Sequence, residues 1–288
     1  MNLSKYDIER SLLQKAVRRG NEDVVEKVIK YLSTVDDAVW LKKRLFVMIY
    51  EECWTLGNEI TVKNTTEAYK KIARSVKNKN SAGLASLAWH FKNGDLDIIH
   101  GMTPEEIENV QSIAYAIESP DKFWKLIKKE PGYQNNRNRI DAAQYAVHKA
   151  SFDYDKALMY AAACLSVENE IPVTGISKIS DPYFPYWIAF DKHTEKGRSL
   201  ITEASKLIGL DPYTGMQLAF FMEGSICNEM VDAPYWNHYI NWRMKKIGSA
   251  IFKWDDLRDV FIDLSKRYVD ALLERINEEE EKPQLSLF

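Results

Sequence analysis

From Leu12 to Ile276 the apolar residues of this chain recur at three- and four-residue steps, a period that fits helices and excludes most strands. Leu12, Leu13, Ala16 and Val17, followed by Val24, Val25, Val28, Ile29 and Leu32, predict two amphipathic helices parted by Gly20-Asn21. A strongly apolar helix is expected from Val39 to Trp54, with Asp36-Asp37 placed where carboxylates favour the positive helix end. Thr65-Thr66-Glu67 opens a helix toward Val76, and Ser81 to Phe91 makes another. Thr103-Pro104-Glu105-Glu106 is a capping box with proline at the first helical position. Ser119-Pro120-Asp121 and Asp211-Pro212 mark two further starts. A last helix from Trp254 to near Glu279 aligns Leu257, Val260, Phe261, Leu264, Tyr268, Ala271, Leu272 and Ile276 on one face. Val, Ile and Thr nowhere alternate between hairpin turns, so the expected class is all-α: a multi-helix globular bundle with an extended C-terminal peptide.

The 288 residues read as a helical region over 1–170, a Pro- and Gly-bearing connection over 171–192, a second helical region over 193–277 and a tail over 278–288. Acidic residues outnumber basic ones by 42 to 39, which leaves nucleic-acid contact to local patches. Cys53, Cys164 and Cys227 are too few and too scattered for a disulfide framework or a zinc site. The segment Met1–Asp7 lacks the apolar core of a signal peptide, and no stretch approaches the ~18 apolar residues of a membrane span. The expectation is a cytoplasmic protein without a membrane partner.

The sequence ends Gln284-Leu285-Ser286-Leu287-Phe288, behind Pro283 and the run Glu278-Glu279-Glu280-Glu281-Lys282. The charged run stops the preceding helix, and apolar Leu287 and Phe288 beyond it suit a concave apolar pocket on another molecule better than a core. The QLSLF string resembles the motif by which bacterial DNA polymerases, mismatch-repair proteins and clamp loaders dock on the β sliding clamp. The resemblance implies polar contacts for Gln284, an intermediate position for Leu285, a tolerant one for Ser286, and apolar anchoring by Leu287 and Phe288. The implied partner is the β sliding clamp (the DNA polymerase III β subunit), and the implied setting is DNA replication or repair.

Ser11-Leu12-Leu13-Gln14-Lys15-Ala16-Val17-Arg18-Arg19-Gly20-Asn21-Glu22-Asp23, followed by Trp40-Leu41-Lys42-Lys43-Arg44-Leu45-Phe46 and Glu51-Glu52, resembles the helical C-terminal region of RarA (MgsA/Werner-interacting protein) ATPases, which are related to clamp loaders. The likeness covers residues 9 to about 60. The chain has no Gly-Lys-Ser/Thr triplet to cradle phosphate, so the resemblance implies a collar-like or homo-oligomerising module without its motor.

Three basic clusters are candidates for DNA contact: Lys70, Arg74 and Lys77; Lys128 and Lys129 running toward Arg137 and Arg139; and Arg243, Lys245 and Lys246 among Trp236, His238, Tyr239 and Trp242. Cations beside stacking aromatics are what a single strand would use. Trp236, Tyr239 and Trp242 nevertheless recur at three-residue steps, which predicts a buried stripe. The densest polar cluster, Asp191 to Arg198, follows the aromatic run Tyr183-Phe184-Pro185-Tyr186-Trp187; Lys192, His193 and Arg198 there could converge on an anion, and a solvated turn ahead of a helix accounts for them as well. Glu51-Glu52 read as helix-surface charge, since neighbours on a helix point about 100° apart. No metal spacing, cofactor motif or catalytic residue is assigned. The reading is a clamp-binding accessory protein; the alternatives are a clamp inhibitor, a collar-like oligomer, or an enzyme with its site near Asp191–Arg198.

Overall fold

The computed structural model describes residues 5–35, 37–60, 64–167, 175–179 and 183–278. In chain order its helices are α1 (Asp7–Arg18), α2 (Glu22–Thr34), α3 (Ala38–Glu52), α4 (Thr65–Arg74), α5 (Asn80–Lys92), α6 (Pro104–Glu118), α7 (Pro120–Ile127), α8 (Tyr133–Val147), α9 (Asp153–Ser166), α10 (Glu195–Leu207), α11 (Pro212–Ala219), α12 (Pro234–Ile247) and α13 (Trp254–Glu278). Among the described residues no strand forms, and β pairing is confined to isolated bridges. The protein is all-α. No described helix is long and apolar enough to cross a membrane.

Local chemistry sets the helix ends where the sequence placed them. Gly20 turns the chain at φ 74° between α1 and α2, a left-handed conformation that favours glycine. Asn21 then caps α2, its Oδ1 accepting the Val24 N–H at 3.0 Å. At the head of α6 the reciprocal box is complete: Thr103 Oγ1 accepts from Glu106 N at 3.2 Å, and Glu106 Oε2 accepts from Thr103 N at 2.7 Å.

The chain packs as two compact units, each drawn from distant segments. Unit 1 takes the described residues of Met1–Leu41, Ile179–Asn228 and Met244–Phe288; unit 2 takes those of Lys42–Lys178 and Glu229–Arg243. The expected front and rear regions, meeting at 171–192, therefore differ from the packing. Helices choose neighbours by complementary apolar faces, and the Pro and Gly punctuation marks a local turn of the chain.

In unit 1, α1 packs on α2 and on the 3₁₀ turn Tyr186–Ala189, while α13 lies against α2, α10 and α11. Leu12, Leu13, Ala16, Val17, Val25, Val28 and Leu32 are fully buried there. In unit 2, α5, α6 and α9 pack on one another, and α8 lies on α9. Gly83 of α5 meets the start of α12 so closely that a Cβ would fall 2.1 Å from the Trp236 backbone nitrogen.

The extended segment after α4 ties unit 2 together. Val76 N donates to Gly175 O (2.9 Å), Lys77 N to Glu229 O (2.7 Å) and Asn78 N to Glu52 O (2.9 Å), so one short stretch holds three remote pieces of chain. Lys79 Nζ donates to Glu52 Oε2 at 2.9 Å, with side chains only 1% and 0% exposed. Glu52 is thus a buried ion-pair partner, in place of the surface charge expected of it. Glu51 faces the other way and pairs with Arg44 at 2.9 Å.

Candidate functional site

A groove of about 870 Å³ lies within unit 1, between α2, α13 and the aromatic run that begins at Tyr183. Helical spacing builds its walls. Val24, Lys27 and Lys30 recur on one face of α2, and Ile262, Lys266, Val269 and Leu273 on one face of α13. Trp187 closes one end, its ring meeting Phe261 edge-to-face at 5.6 Å. At the other end Arg275 of α13 reaches Glu9 at 3.0 Å and hydrogen-bonds the Tyr31 hydroxyl of α2. Tyr183 stands at the rim, 75% exposed. Apolar floor, aromatic end and charged rim make a surface suited to a peptide.

Behind the aromatic run sits a buried polar network. The Asp191 carboxylate accepts from Lys15 Nζ at 2.5 Å, from the His193 backbone N–H at 2.8 Å and from His193 Nδ1 at 3.1 Å. Burial disfavours its ionisation, but the Lys15 ammonium and then His193 outweigh that and hold the carboxyl well below the usual range. Thr194 caps α10 by accepting the Gly197 N–H at 3.0 Å, and a Cβ at Gly197 would fall 2.2 Å from the Asp191 carbonyl oxygen. Asp191 and Thr194 are buried, so this is a packed junction and not the solvated turn that its composition suggested.

The cations of that cluster do not converge on an anion site. The Lys192 ammonium lies over the Phe220 ring at 3.9 Å, and Arg198 Nη1 donates to the Lys192 carbonyl at 3.3 Å. His193 is 62% exposed and its ring edge meets Phe220. Its tautomer is fixed by Asp191, which aims Nε2 away from the carboxylate; among the described residues no hydroxyl or thiol is hydrogen-bonded to it.

The basic clusters divide sharply. Lys77 is 0% exposed, and its ammonium donates to the carbonyls of Ile72 (3.0 Å), Ala73 (2.7 Å) and Ser75 (2.7 Å). It satisfies the open carbonyl end of α4 and cannot meet DNA, which corrects its place among the contact residues. Lys70 and Arg74 are partly exposed on α4 itself. Arg139 Nη1 is spent on the Thr55 carbonyl at 2.6 Å, and Arg137 pairs with Asp141 at 3.2 Å on an exposed face. Arg243 stacks on Trp242 at 4.8 Å and donates to His90 Nε2. Trp236, Tyr239 and Trp242 are buried, as their spacing predicted. Lys128, Lys129, Lys245 and Lys246 are exposed.

Gln284, Leu285, Ser286, Leu287 and Phe288 lie outside the described residues. Among those residues no cluster of three or more metal-ligating side chains occurs. The Lys15–Asp191 and Glu52–Lys79 pairs escaped the sequence reading, because partners 176 and 27 positions apart leave no local signature. No family model, curated protein or solved structure matches the chain.

Proposed function

We propose that the protein is a client of the bacterial β sliding clamp, docked through Gln284–Phe288, and that its helical body is thereby delivered to sites of DNA replication or repair. The observation that carries this reading is the QLSLF string itself, two adjacent apolar anchors set beyond an acidic run and a proline. The body supports the reading in a limited way. The 25-residue helix α13 ends at Glu278, six positions before Gln284, and Lys128, Lys129, Lys245 and Lys246 are among the exposed cations that a phosphate backbone could meet.

The test is titration of the full chain against a bacterial β clamp by fluorescence anisotropy, beside a variant lacking Gln284–Phe288. Saturable binding by the full chain and none by the truncated one is expected. Equal binding by both, or none by either, rejects the peptide as a clamp ligand.

A further inference from the structure

Three exposed charges of α13, Asp263, Lys266 and Asp270, form a crest with the α2 groove on one side and a second cleft of about 530 Å³ on the other. This second cleft lies within unit 1, between α10 and α13. Lys196, Leu200 and Glu203 recur at helical spacing on the wall that α10 supplies, and Leu264, Arg267 and Tyr268 line that of α13. At one end two cations converge on a single neutral oxygen: Arg267 Nη2 donates to the Tyr268 hydroxyl at 2.7 Å and Lys196 Nζ at 3.4 Å. Both also lie over the ring, at 4.7 and 4.5 Å from its centroid, which holds them in place. Among the described residues neither cation makes an ion pair, although three carboxylates line the same cleft. Asp263 and Asp270 stand on the crest, in water that screens them, and Glu203 lies two turns (about 10 Å) further along α10. The field at the hydroxyl therefore favours negative charge, and the two donors, Arg267 first, hold the phenol below its ordinary pKa.

We propose that this cleft binds a phosphate monoester, its phosphoryl group seated among Arg267, Lys196 and the Tyr268 hydroxyl and its organic group lying over Leu200 and Leu264. The Tyr268 oxygen accepts from both cations, which leaves its own O–H to donate. Guanidinium fork, ammonium and phenol offer donors to the three terminal oxygens of a monoester, and two positive charges match its dianion. A carboxylate, with one charge and two oxygens, leaves part of that set unused. Leu200 is buried at the base of the cleft, whose volume is that of a small-molecule site. Neither the cleft nor its ligand depends on clamp binding.

The experiment is calorimetric titration of the full chain, in low-salt buffer free of phosphate, with phenyl phosphate, inorganic phosphate and benzoate. Expected is saturable one-to-one binding of phenyl phosphate, with inorganic phosphate weaker and benzoate weaker still. Arg267→Gln and Lys196→Gln should each weaken phenyl phosphate about tenfold, and Tyr268→Phe, which keeps the ring, about fivefold. Lys266→Gln removes a cation of the crest and should change the affinity less than about twofold. All four positions are at least partly exposed, and thermal unfolding of each variant checks that the fold is kept. Absence of saturable phenyl phosphate binding overturns the proposal. So does a loss in Lys266→Gln equal to that in Arg267→Gln and Lys196→Gln, which marks diffuse charge. Benzoate or inorganic phosphate bound as tightly as phenyl phosphate overturns it as well.

Discussion

The Lys15 ammonium lies 2.5 Å from the Asp191 carboxylate, inside unit 1 and 176 positions away in sequence. The pair pins α1 to the turn that launches α10, with both side chains buried. Two buried charges are dear to desolvate, and removing either one strands the other without solvent. Asp191→Asn and Lys15→Met should each therefore destabilise the fold by about 3–5 kcal/mol. Combining them should cost less than the sum, because neither charge is then left alone. Denaturant midpoints of the four proteins measure the coupling; strictly additive losses would show that the two side chains do not act as a pair.

The same carboxylate sets an acid response. Burial works against ionised Asp191, yet Lys15 and His193 together hold its folded pKa below the unfolded value of about 3.9. As pH falls, the unfolded chain binds the proton first. The stabilisation is complete above about pH 5 and drains away as pH drops from there through the folded pKa. Asp191→Asn lacks this contribution, so its deficit against the wild type should shrink between pH 5 and pH 3. A thermal unfolding series across that range reads it directly, and a deficit that grew toward low pH would reverse the sign assigned here.

Lys77 offers a test of structure against charge count. Its three donations to the end of α4 are charge-assisted and buried, each worth about 1.5–3 kcal/mol in isolation and less when shared by one ammonium. Lys77→Met keeps the aliphatic stem and removes the donors; a loss of about 3 kcal/mol is expected. At a temperature where the variant stays folded, its affinity for single-stranded DNA should equal that of the wild type. Reduced DNA affinity in a fully folded variant would return Lys77 to the contact residues.

At the other end of the chain the two apolar anchors make the strongest claim. Leu287→Ala or Phe288→Ala should each cost about 2 kcal/mol of clamp affinity, roughly 30-fold, as expected of hot-spot side chains. Ser286→Ala, at the tolerant position, should leave it within a few-fold. Calorimetric titration separates these cases, and a uniform response across the five positions would deny the anchor assignment.

The sequence revealed most where one residue's chemistry decides a local outcome. The Thr103–Glu106 box, the Gly20 break and the Trp236–Tyr239–Trp242 stripe are each visible within a few positions, and the structure has them in place. Two helices went unread for opposite reasons. In α9, Ala157 through Leu165 are all buried, so no polar face gives the segment a period. In α8, Asn136 at φ −118° interrupts the helix, and the asparagines around it resemble a loop. Burial of charge was illegible altogether. Nothing adjacent to Lys77 or Lys79 separates them from Lys70, and what sets them apart is an extended segment held by Gly175, Glu229 and Glu52. The groove was only half legible: its aromatic run is contiguous in sequence, but the faces of α2 and α13 that complete it are remote, with 239 positions between Val24 and Asp263.

Exposure now ranks the remaining basic residues. Lys128 and Lys129 lie at the end of α7, open to solvent, whereas Arg139 is held by the Thr55 carbonyl. A side chain that neutralises a phosphate releases counterions, so its loss changes the salt dependence of binding and not merely its strength. If the α7 patch contacts DNA, Lys128→Ala with Lys129→Ala should flatten the slope of log affinity against log salt by about 1.4 for a single strand, or about 1.8 for a duplex. Lys245→Ala with Lys246→Ala gives the same reading for the end of α12. Arg139→Gln should instead leave the slope alone and lower stability by about 1 kcal/mol, because the Thr55 carbonyl loses its donor. Filter binding at several salt concentrations distinguishes the patches: a slope that moves with Arg139 and ignores both lysine pairs would place the contact on the face of α8, against the exposure pattern.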